Sequence, residues 1–137
     1  MEALDKFISH CVPSKDIHLL IAQNNNEFFN IEETLKKHKY HKCIDINQFI
    51  DSLNTYQKIY LTVDNLLDKT LYDFICQYPT GQISLSIPEK GGNISINPDY
   101  KSTSILILIT KENLFSKVEK DKFTLLDKVG MVFQTDL

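Results

Sequence analysis

Ser104-Ile105-Leu106-Ile107-Leu108-Ile109 decides the fold class, because five consecutive apolar residues follow the serine with no polar alternation. A half-buried strand alternates apolar and polar residues, whereas a strand covered on both faces reads as a continuous apolar run. Such a strand belongs in a parallel sheet sandwiched between helices. Lys58-Ile59-Tyr60-Leu61-Thr62-Val63 and His18-Leu19-Leu20-Ile21-Ala22 repeat the pattern upstream. Cys43-Ile44-Asp45-Ile46 is read as a further short strand, and residues 129–133 as a last one.

Between these runs the apolar period changes from two to between three and four. Leu4, Phe7, Ile8 and Cys11 share one helical face; Phe28, Ile31 and Leu35 do the same over residues 28–39. Residues 47–53 and 67–78 are two more helices, and residues 111–123 are helical in part. Pro13 ends the first helix, and Pro79-Thr80-Gly81 breaks the fourth. Residues 83–87 and 93–96 alternate at period two around Lys90-Gly91-Gly92, the pattern of a β-hairpin. The expectation is one α/β domain over residues 1–137: a three-layer α/β/α sandwich with a mostly parallel sheet, plus a β-hairpin.

Bulk composition bounds the function. A chain of 137 residues that is 42% hydrophobic and 24% charged supports one globular core, not a disordered or fibrous segment. Its net charge is -3, and all 15 basic residues are lysines. A planar bidentate clamp for phosphate or carboxylate is therefore missing. Lys36, Lys37, Lys39 and Lys42 form the densest basic patch, read as the solvated tail of a helix and not as a nucleic-acid grip. Cys11, Cys43 and Cys76 are odd in number and form no CxxC pair, so a reducing cytoplasm is the expected location. No apolar stretch has the length of a membrane span.

In a parallel sheet the functional crevice lies at the carboxyl ends of the strands. The residues to examine follow Ile21, Val63 and Ile109. Gln23-Asn24-Asn25-Asn26-Glu27-Phe28 comes first; it has no glycine to open its amides, no lysine, and a glutamate that would repel phosphate. A structural turn is the expectation, with asparagine tolerating left-handed backbone angles there. Asp64-Asn65 stands where a hydrolase places an acidic pair, yet an asparagine amide is no general base; both residues are read as caps of the next helix. Thr110-Lys111 follows the longest apolar strand. His38, His41 and Cys43 offer three ligands across a helix end and are read as surface groups, not as a metal site. Phe28 or Phe29, exposed near the loop, is a candidate anchor for a partner, and Tyr56, Tyr60, Tyr72 and Tyr78 are read mostly as core.

The order of these pieces resembles the AAA+ domain of bacterial enhancer-binding transcription activators, which remodel RNA polymerase carrying an alternative sigma factor. Residues 23–28 fall on that family's Walker A loop, with Phe28 at the lysine position. Residues 59–65 resemble its Walker B strand, and 105–114 its sensor strand, where Thr110-Lys111 replaces a Thr-Asn pair. Residues 123–133 resemble the segment with the arginine fingers, where Thr124 and Lys128 are nearest. The resemblance implies a P-loop NTPase/AAA+-like core without the helical lid. It also implies loss of function, since the Walker A glycines and lysine, the Walker B glutamate, the sensor asparagine and every arginine are missing. Residues 47–57 leave no room for the GAFTGA loop that touches sigma factor. The implied protein has no catalytic residue, cofactor or metal. It is a regulatory or protein-interaction module, with a transcription regulator or a second copy as partner. A receiver-like (flavodoxin-type) domain with Asp64 as phosphoacceptor is the alternative, and it lacks the acidic pair after the first strand, which here is Ala22-Gln23. A third possibility, an enzyme on a small ligand, finds no base–nucleophile pair. The receiver and AAA+ folds place the strand after the first crossover helix differently in the sheet.

Overall fold

A computed structural model describes residues 2–11, 16–63, 69–78, 82–97, 99–115 and 129–134. In chain order the elements are α1 (Glu2–Cys11), β1 (Ile17–Ala22), α2 (Asn25–Lys37), β2 (His41–Cys43), α3 (Ile46–Ser52), β3 (Lys58–Thr62) and α4 (Lys69–Gln77). After these come β4 (Ile83–Ile87), β5 (Gly92–Ile96), β6 (Ser104–Thr110), α5 (Lys111–Phe115) and β7 (Val132–Gln134). Five strands form one sheet in the order β2-β3-β6-β1-β7, and every pairing in it is parallel. β4 and β5 form a separate antiparallel hairpin. A flavodoxin-type sheet sets the second strand beside the first. Here β3 and β6 stand between β1 and β2.

Alternate side chains of the central strands feed two cores. Leu19, Ile21, Ile59, Leu61, Ile105, Ile107 and Ile109 point to one face, where Phe49 and Leu53 of the α3 region, Leu71 and Phe74 of α4, and the hairpin's Ile83, Leu85 and Ile87 cover them. Leu20, Tyr60, Leu106 and Leu108 point to the other, under Leu4 and Ile8 of α1 and Ile31 and Leu35 of α2. This is the three-layer α/β/α arrangement with an added hairpin. Each fully buried Leu, Ile or Phe side chain contributes about 1.5–3 kcal/mol through removal from water. Phe49 and Phe74 meet edge to face at 5.0 Å between ring centres.

Several boundaries differ from expectation for local reasons. β2 occupies His41–Cys43, not 43–46, because the Asp45 side chain accepts the Gln48 N–H at 2.8 Å and starts α3. Ile44, freed from the strand, is 59% exposed. β7 starts at Val132, later than expected, since Gly130 lies against the His18 ring and the Met131 N–H donates to His18 Nδ1 at 2.8 Å. The hairpin turn contains a 3-10 turn at Pro88–Lys90, followed by Gly91 and Gly92 at φ 91° and 109°. Those left-handed angles require glycine. Among the described residues no helix is long and apolar enough to cross a membrane.

Candidate functional site

The carboxyl ends of β1, β6 and β3 lie side by side. Ala22 is in register with Thr110, Thr62 with Leu108, and the Val63 N–H donates to the Leu108 carbonyl at 3.1 Å. The crevice is therefore framed by Gln23-Asn24 and by Thr110-Lys111 at the start of α5.

The segment after β1 is shorter than its sequence implies. α2 begins at Asn25, so only Gln23 and Asn24 form the loop, while Asn25, Asn26, Glu27 and Phe28 already belong to the helix. The left-handed asparagine turn does not form; among described non-glycine residues only Lys39 has positive φ. Asn24 is instead extended, at φ -157°, and caps the helix through Oδ1, which accepts the Glu27 N–H at 2.9 Å. Glu27 reaches back, and its Oε1 accepts the Gln23 N–H at 3.1 Å. This is a capping-box arrangement shifted by one donor. Its consequence is electrostatic. The amino end of a helix attracts an anion through unpaired N–H groups and the helix dipole, and here the chain's own Glu27 carboxylate lies on the Gln23 N–H just ahead of that end.

α3 repeats the device. Asp45 accepts the Gln48 N–H, and Gln48 Oε1 accepts the Ile44 N–H at 3.1 Å. The shared signal is a cap residue followed three positions later by Glu or Gln: Asn24…Glu27 and Asp45…Gln48. That spacing is the sequence clue by which Glu27 is recognised as a cap partner, beyond its repulsion of phosphate.

At the end of β6, Thr110 Oγ1 accepts the Asn113 N–H at 3.3 Å, so the threonine caps α5. Lys111 is half-buried as the first residue of that helix. Asp64 and Asn65 lie outside the described residues, as do Thr124 and Lys128.

The other candidates scatter. Phe28 is half-buried against the α1–α2 core, and its ring meets Phe29 edge to face at 6.2 Å. Phe29 is 62% exposed. His38 Nε2 pairs with Asp5 Oδ1 at 2.7 Å, and this contact holds the Asp5 carboxyl below its usual pKa. His41 stacks on Tyr56 at 3.7 Å between ring centres. Cys43 is buried beside the Ser52 hydroxyl, and burial pushes its thiol pKa up. The two histidines and the cysteine thus have three different local partners. In the basic patch, Lys36 pairs with Glu33 at 3.8 Å and Lys42 with Glu32 at 2.9 Å. Of the tyrosines, Tyr60 is core, and its hydroxyl donates to Glu32 Oε2 at 2.6 Å; burial and that carboxylate raise its pKa. Tyr56 is on the surface, a departure from the core reading. Tyr72 and Tyr78 pack on the larger core.

His18 has no counterpart in the site reading, because a lone histidine in an apolar run gives no sign of its partner. It is buried in β1, accepts the Met131 N–H, and its Nε2 lacks a hydrogen-bond partner among the described residues. No protein-family model matches the chain, and no curated protein matches it.

Proposed function

We propose that this chain is a non-catalytic protein-interaction or regulatory module built on a degenerate AAA+-like core, acting in transcription control. One observation carries the reading: the Glu27 carboxylate sits at the head of α2, on the backbone amide of Gln23. A triphosphate placed there would meet a carboxylate where it needs amides and a cation, and a like charge inside a partly desolvated crevice costs several kcal/mol unless neutralised. The chain has no arginine to form a bidentate phosphate clamp there. The wide separation of β1 from β2 supports the AAA+-like arrangement over the receiver-like one.

On this reading binding is to another protein, a transcription regulator or a second copy, in the cytoplasm. Exposed Phe29 on α2 is the candidate anchor. Calorimetric titration with ATP and Mg²⁺ tests the reading. Absence of saturable heat supports it. Stoichiometric binding would turn the crevice back into a nucleotide site.

A further inference from the structure

The β4–β5 hairpin has two outer edges, and the chain treats them differently. On the β4 side, Gln77 Nε2 donates to the Ser84 carbonyl at 3.0 Å, and Gln77 Oε1 accepts the Ser84 N–H at 2.9 Å. One side-chain amide from α4 thus satisfies both outward backbone groups, as a neighbouring strand would. The edge is closed there.

That contact also fixes the hydrogen-bond phase of the hairpin. In an antiparallel ladder, facing pairs alternate between those that exchange backbone hydrogen bonds and those that turn their groups outward. Ser84 turns outward to Gln77, so its partner Ser95 turns outward on the opposite edge. Two residues along, the Ser86–Asn93 pair does the same. The outer edge of β5 therefore displays the N–H and C=O groups of Asn93 and Ser95. Both residues are exposed, and β5 pairs only with β4 among the described residues.

This open edge borders a groove of about 340 Å³ between the hairpin and the end of α3, lined by Ile50, Asp51, Asn54, Lys90, Ile94 and Asp99 among others. Ile50 and Ile94 give it apolar contact surface. Its charge is unbalanced, because Lys90 is committed to Asp51, while Asp99 has no ionic partner among the described residues. We propose that the β5 edge docks an extended segment of a partner protein. The segment pairs with Asn93 and Ser95 as an added strand and sets a Lys or Arg side chain against Asp99. Strand addition draws affinity from main-chain hydrogen bonds and specificity from the side-chain groove. A two-stranded sheet also gains support from a third strand. A second copy is the poorer occupant, since two-fold pairing of this edge with itself sets acidic grooves together.

The proposal deepens the protein-interaction reading and rests on it, but its test uses no nucleotide, so the two fail separately. A phage-displayed library of random octapeptides is selected on the full chain, and the most enriched peptide is measured by fluorescence polarisation. The expected peptides are β-branched and carry Lys or Arg. Ser95→Pro removes an outward N–H without breaking the ladder and weakens binding about 10-fold, the worth of one backbone hydrogen bond. Asp99→Lys, a surface change that leaves folding intact, weakens the basic peptide by a similar factor. Failure to enrich any peptide would overturn the proposal. So would enrichment without basic residues, unchanged binding by both variants, or a homodimer in sedimentation that Ser95→Pro dissociates.

Discussion

The Glu27 carboxylate accepts the backbone N–H of Gln23 at 3.1 Å, while the Glu27 N–H is itself held by Asn24 Oδ1 at 2.9 Å. Two hydrogen bonds thus bind the end of β1 to the first turn of α2. Removing the cap by Asn24→Ala is expected to cost about 1 kcal/mol, as for other helix N-caps. For a domain of this size the Tm should fall by about 2–5 °C. Thermal denaturation followed by circular dichroism measures it.

The contact between Gly130 and His18 makes a sharper prediction. A Cβ at position 130 would lie 2.7 Å from His18 Nδ1 and Cε1 and 2.8 Å from the Asp16 Cβ. Gly130→Ala should destabilise the fold by about 1–3 kcal/mol, the usual cost of overpacking. It should also speed hydrogen exchange at Met131, whose N–H bonds His18. An unchanged Met131 exchange rate would contradict the link between Gly130 and the hydrogen bond from Met131 to His18.

His18 gives stability a pH dependence of known sign. Burial lowers its pKa below the ordinary 6.5, with Asp16 opposing. Between the folded and unfolded values the unfolded chain binds more protons, so stability rises with pH and falls on acidification below about pH 6.5. Protonation of Nδ1 would also remove the acceptor for the Met131 N–H. Denaturation midpoints from pH 7.5 to 5 should fall in the native chain and flatten in His18→Leu, which is less stable at pH 7.5.

Asp5 acts in a lower window. Its carboxyl pKa is depressed below 3.8, chiefly by the hydrogen bond to His38. A depressed acid contributes stability that is present above the unfolded pKa and lost as pH falls through the folded one. Asp5→Asn should therefore leave the curve unchanged in direction near neutrality and reduce the decline below about pH 4. Titration of the Asp5 carboxyl carbon by NMR checks the shift directly.

The fold class is legible because burial on both faces leaves a plain mark: β6 and β1 carry apolar runs with no wet side, and helices separate the strands. The strand order was not written in any local pattern, since β1, β3 and β6 have interchangeable apolar surfaces. The β2 boundary slipped because Ile44 and Ile46 look like strand residues, while the Asp45–Gln48 capping pair that decides the matter is a contact three residues apart. The crevice was partly legible. Missing glycines and arginines are visible in the sequence, but the return of Glu27 to Gln23 depends on α2 starting at Asn25. The outward turn of Asn93 and Ser95 depends on a tertiary contact with Gln77, which no sequence pattern announces.

On the proposed reading, the Glu27 carboxylate beside the Gln23 amide keeps a triphosphate out of the crevice. The direct measurement is calorimetry with ATP and Mg²⁺ on the native chain and on Glu27→Gln, at matched pH and salt. No saturable binding by the native chain, and none or only weak millimolar binding by the variant, is the predicted result. Micromolar ATP binding by the native chain that shifts the Gln23 and Glu27 amide resonances would contradict it.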